Sequence, residues 1–192
     1  MNLPDLAIAL ALAWGAGLRA YAVIFAVGLA GAMDWVELPG YLHVLEHPLV
    51  IAASGFMTLV EFSADKLPWL DSIWDAVHSF IRIPAGAALA AMVFGDSTNA
   101  VMVAAAILGG SLAAAMHVAK AGTRATLNLS PEPFSNWAAS LSEDALVPLG
   151  LWLAFVHPLA FFLLLAVVLV AVVLLMRLLW RGLRRLGASS ST

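Results

Sequence analysis

Apolar residues run through this chain in long blocks, and the polar residues fall between them in tight groups. Leu3 to Met33 is almost continuous, interrupted by Asp5 and by Gly15-Ala16-Gly17-Leu18-Arg19. Roughly 20 apolar residues cross a bilayer, so this block predicts a first membrane helix long enough to tilt or break. It lacks the basic lead of a signal peptide and reads as a retained helix. Asp34 to His47 predicts a loop with Asp34, Glu37 and Glu46 and no Lys or Arg. Leu49 to Phe62 predicts a short second helix, and Phe62 to Trp69 a polar turn carrying Asp65 and Lys66. Leu70 to Phe94 predicts a third helix, polar at first and small and apolar after Pro84-Ala85-Gly86. The Ala- and Gly-rich stretch Asn99 to Ala119 predicts a fourth. Gly122 to Asp144 contains Pro131-Glu132-Pro133 and predicts an irregular connection. Ala145 to His157 and the aliphatic Pro158 to Trp180 complete about six transmembrane segments.

Composition agrees with this pattern. Of 192 residues, 63% are hydrophobic and 11% charged, against roughly 25% charged in soluble domains, and the mean hydropathy is +0.98. The fold class expected is all-α, a polytopic membrane helix bundle whose main partner is the lipid bilayer, with one domain over 1–186 and a disordered polar tail over 187–192. There is no cysteine, which excludes disulfides and thiolate metal sites. The dense basic cluster Arg177, Arg181, Arg184 and Arg185 fits a membrane edge, so no nucleic-acid partner is expected. No cofactor is expected either. The small-residue face of the fourth helix suits packing within the chain or a homo-oligomer.

Six crossings would put Lys66, Lys120, Arg124 and the tail arginines on one side and the acidic loops on the other. The positive-inside rule then predicts two cytoplasmic termini, in a bacterial inner membrane. Two short matches link the halves 3–95 and 99–180: Gly17–Tyr21 with Gly122–Thr126, and Leu45–Val50 with Ser142–Val147. They raise the expectation of a 3+3 inverted repeat with broken helices, as in many transporters.

The chemistry lies in two groups. Asp71, Asp75, His78 and Arg82 are spaced four, three and four apart, on one face of a helix, with Glu61 and Asp65 upstream. Asp71, Asp75 and His78 are the candidate ligands for a divalent cation or carriers of a proton. The plainer account is mutual neutralisation of Asp75, His78 and Arg82. His117, Lys120 and Arg124 are spaced three and four apart and followed by Thr123, Asn128, Ser130 and Asn136. This stripe suits an anion such as a phosphate or carboxylate, or else snorkelling cations that anchor the fourth helix. Arg19, in the middle of an apolar block, should point inward. Glu143-Asp144 fits the N-terminus of the fifth helix, capped by Ser142 or Ser140, while Glu143 is a second candidate partner for Arg124 or Lys120.

The strings EFSADKLPWLDSIWDAVHSFIRIPAGA, HVAKAGTRATLNLSPEPFSNW and SLSEDALVPLGLWLAFVHP resemble the signature blocks of a bacterial membrane-protein family, domain of unknown function 4126. The resemblance runs over nearly the whole chain. It implies a small polytopic membrane protein and supplies no catalytic residues.

No nucleophile elbow, H-E-x-x-H helix or phosphate-binding loop occurs in the sequence. The leading expectation is translocation of a small ion or polar solute, a cation, proton or anion. Its path would involve Arg19, Glu61, Asp65, Asp71, Asp75, His78, Arg82, His117, Lys120, Arg124 and Glu143. Two other readings stand beside it: flipping or modifying a phosphate-bearing lipid, and a structural or assembly subunit of a membrane complex.

Overall fold

A computed structural model describes residues 2–64, 68–127 and 133–189, apart from the side chains of 68–72, 75, 133, 136 and 179–189. Six α-helices follow in order: α1 (Leu3–Ala32), α2 (Pro48–Ala64), α3 (Pro68–Val93), α4 (Asn99–Leu127), α5 (Pro133–Val156) and α6 (Pro158–Ser189), with a 3-10 helix, Gly40–Glu46, ahead of α2. No strand occurs among the described residues. Five helices, namely α1 and α3 to α6, have the length and apolarity to cross a membrane. The 3-10 helix and α2 together make a sixth candidate, bent by 74° at His47. Large apolar side chains lie exposed on α2, α4, α5 and α6, such as Phe56, Ile107, Trp152, Leu163 and Val167. In a bundle this apolar outside, that surface faces lipid. The chain is a multi-pass membrane protein.

The bundle is built around α1. In its most apolar window 72% of residues are buried, against 11% in α6, and it touches every other helix. Small residues permit this. Gly17 lies so close to α4 that a methyl group there would meet Ala113 O at 2.5 Å and Met116 Cβ at 2.8 Å. Gly86, Gly109 and Ala113 let α3 and α4 approach in the same way, so this part of the small-residue face of α4 is used within the chain.

The path of α1 departs from the single crossing expected of it. Arg19 has φ -146 and ψ 77, outside the helical region, with helix on both sides. A Cβ placed on Gly15 would stand 2.7 Å from Cγ2 of Val23, although eight residues of straight helix separate such atoms by about 12 Å. Pro4, Asp5 and Ile8, near the start of α1, line one cleft with Trp35–Pro39, just beyond its end. The helix therefore folds back on itself at Arg19. Its arms measure about 24 and 20 Å at 1.5 Å per residue, against the roughly 30 Å of a hydrocarbon core. The sequence pattern could not separate a tilted span from a hairpin of two apolar arms.

The polar stretch 122–144 is also more regular than expected. α4 continues through Leu127 and α5 already begins at Pro133; proline is favoured at the first turn of a helix, where its missing N–H is not needed. The helix α6 likewise continues past Trp180. The repeat motifs take unlike shapes: Gly17–Tyr21 surrounds the break, whereas Gly122–Thr126 is continuous helix. The backbone thus lends no support to an inverted repeat.

Candidate functional site

A break in a membrane helix strands carbonyl groups at the end of the first arm, and in lipid these must be satisfied inside the protein. Here Lys120 of α4 donates from Nζ to Leu18 O at 3.1 Å. A cation at that point also complements the negative end of the arm's dipole.

The Arg19 side chain, 2% exposed, points into the bundle as expected. Its Nη2 donates to Ser140 Oγ at 2.9 Å, and its Nε lies 3.0 Å from Asp144 Oδ1 and 3.8 Å from Glu143 Oε2. Glu143 also takes Lys120 Nζ, 3.0 Å from Oε2, and Arg124 Nη2, 3.7 Å from Oε1. The tip of α1, the polar end of α4 and the middle of α5 thus meet in one ion-pair cluster. Asp144 stands 12 residues before Val156, or about 18 Å along α5. The expected helix-capping role of Glu143 and Asp144 is corrected: α5 starts ten residues before Glu143, and Ser140 serves Arg19 instead.

The basic stripe is not a snorkelling anchor. His117, Lys120 and Arg124 are all buried, because α4 turns Lys120 and Arg124 toward α1 and α5 and His117 toward α3.

A second group joins α2, α3 and α4. Arg82 Nη2 donates to Glu61 Oε1 at 2.6 Å, with both side chains 1% exposed. Arg82 Nη1 lies 3.5 Å from His117 Nδ1, and His117 Nε2 lies 2.6 Å from Ser79 Oγ. Glu61 Oε2 is buried with no hydrogen-bond partner among the described residues. His78 faces elsewhere. Its Nδ1 is 2.8 Å from the carbonyl of Trp74, which can only accept, so that nitrogen carries the proton. The ring stacks on Trp74 at 3.9 Å and meets Tyr21 edge-on at 5.6 Å.

For Arg82, the described neutralising partner is thus Glu61, 21 residues away, and not His78. Asp65 and the side chains of Asp71 and Asp75 lie outside the described residues, as does the cation site that needs both acids. Among the described residues no three His, Asp or Glu side chains come together as metal ligands.

A family model, Domain of unknown function (DUF4126), matches residues 6–178. No curated protein and no solved structure matches the chain.

Proposed function

This chain belongs to the DUF4126 family, whose description assigns no activity, and from the geometry we propose that it translocates a small ion or polar solute. The observation that carries the proposal is the break at Arg19. Interrupted helix at membrane depth is tolerated where protein buries it or where it lines a polar path, and broken helices form the midplane sites of many transporters. In this chain the break delivers an arginine to a cluster of ion pairs contributed by three helices.

The cluster is closed. Lys120 and Arg124 have side chains 0% and 2% exposed, so the arrangement corresponds to a shut path, which opens when the hairpin tip parts from Ser140, Glu143 and Asp144. Burial of Arg124 also favours a solute over a lipid headgroup reached sideways. Glu61 and Arg82, dry and paired, fit a pin between α2 and α3, while Asp65, Asp71, Asp75, His78 and His117 remain proposed path residues.

The same geometry supports an orientation other than the one expected from six crossings. With α1 folded back, the start of the chain shares a face with Asp34, Glu37, Glu46 and Asp96, and five further crossings carry the end of α6 to the opposite face. Arg177 lies at that end. By the positive-inside rule, we place the amino end outside and the carboxyl end in the cytoplasm.

Proteoliposomes under imposed pH and salt gradients test the function. The wild type should dissipate at least one gradient faster than empty liposomes, and Arg19→Gln should fall to the empty-liposome rate. A wild type that matches empty liposomes under every gradient would remove the translocation reading and leave the structural one. Equal flux in Asp71→Asn and Asp75→Asn would take those two acids out of the path.

A further inference from the structure

Two hollows adjoin on the face that carries the acidic loops. The first, a cleft of about 460 Å³, lies where the start of α1, the segment that follows α1 and the end of α5 meet, and Asp5, Glu37 and Trp35 line it. The second, about 380 Å³, runs between the second arm of α1 and α5, with Ala30, Pro148, Leu151 and Trp152 in its wall. Trp35, Val36, Phe155 and Val156 belong to both, so the two form one continuous groove. Each has the size of a small-ligand site, roughly 300–1,000 Å³.

The two ends differ in chemistry. At one, the carboxylates of Asp5 and Glu37 make no hydrogen bond or ion pair among the described residues. The stretches that build the groove supply no counter-charge either, since 1–18, 20–65 and 145–176 contain no Lys or Arg. At the other end the wall is aliphatic and aromatic. Trp35, 69% exposed, stands where the ends join. An interfacial position accounts for an exposed indole, but not for two indoles and two unpartnered acids along one groove.

An organic cation matches all of these features. Its charge is attracted by carboxylates and by the negative face of an indole, and an attached hydrocarbon body gains from leaving water in the apolar half. An anion would be repelled at the acidic end, and a bare metal ion would leave the apolar half unused.

We propose that this groove binds an amphiphilic organic cation, with its ammonium head among Asp5, Glu37 and Trp35 and its apolar body against Leu151 and Trp152. The site is separate from the Arg19 cluster and does not depend on translocation.

The test is titration calorimetry on the full chain in nanodiscs of phosphatidylcholine, with the heat of empty discs subtracted. Octyltrimethylammonium and octyl sulfate share a tail and differ in the sign of the head. The unmodified chain should bind the ammonium saturably and the sulfate at least about tenfold more weakly. Asp5→Asn combined with Glu37→Gln should weaken ammonium binding about tenfold, and Trp35→Leu, which keeps apolar area but removes the indole face, about threefold. Asp96→Asn removes an acid outside the groove and should change the affinity by less than about twofold.

Glu37 and Trp35 are exposed, so their substitution leaves the packed interior intact. Should the double variant not purify, the comparison of the two heads on the unmodified chain decides. No saturable ammonium binding above empty discs, equal affinity for both heads, or unchanged binding by the double variant would overturn the proposal. A wild-type dimer that Trp35→Glu separates would also overturn it, since a second copy of the chain would then cover the groove.

Discussion

Arg82→Met is expected to destabilise the protein by about 3–5 kcal/mol, the usual loss when one partner of a buried ion pair is removed. The magnitude follows from what remains. Glu61 is fully buried and Arg82 is its described hydrogen-bond partner, while its second oxygen already lacks one. Without the guanidinium, the carboxylate must either stay charged in a dry site or take up a proton, and both are unfavourable there. Combining Arg82→Met with Glu61→Gln should recover a large share of the loss, since a neutral amide is far easier to bury than a carboxylate. Thermal unfolding in micelles of both single variants and the double variant measures the coupling. Strictly additive losses would show that the pair is not an energetic unit.

Lys120→Met should lower stability by about 3 kcal/mol, combining a lost buried charge partner with an unsatisfied backbone carbonyl. Lys120 has two tasks at once: it neutralises Glu143 and it closes the broken end of the first arm at Leu18 O. The second task gives the prediction a local signature. Backbone amides near the tip of α1 should exchange hydrogen faster in the variant, while those of α6, far from the break, keep wild-type rates. A uniform rise throughout the bundle would mean that Lys120 contributes only general stability.

Arg19 and Glu143 show what the sequence disclosed. Arg19 announced itself, because a cation in the middle of an apolar block must find partners inside, and Gly15 and Gly17 beside it permit a sharp break and close contact. The pairing of Glu143 with Lys120 or Arg124 was legible from charge alone.

The fold-back of α1 was not. Hydropathy measures apolar length, and a largely apolar stretch of 30 residues looks the same as one tilted span or as two arms buried against each other. The regular structure of 122–127 and 133–144 was hidden for a related reason. Helices that bury a polar cluster carry residues such as Arg124, Ser140 and Glu143 inward, so the segment looks like a loop when polarity is equated with solvent. Local spacing also left out one partner of Arg82: helical periodicity pointed along α3, whereas packing against α2 brings Glu61 to it.

The account depends most on the hairpin form of α1, because a straight first helix would carry Arg19 away from α5 and dissolve the site. The chain has no cysteine, so single cysteines report position without background. Asp5→Cys, Glu37→Cys and Ser189→Cys should be labelled with a membrane-impermeant maleimide in oriented membranes. The hairpin predicts labelling of Asp5→Cys and Glu37→Cys from one face and of Ser189→Cys from the other. Labelling of Asp5→Cys from the face that exposes Ser189→Cys, opposite Glu37→Cys, would contradict it.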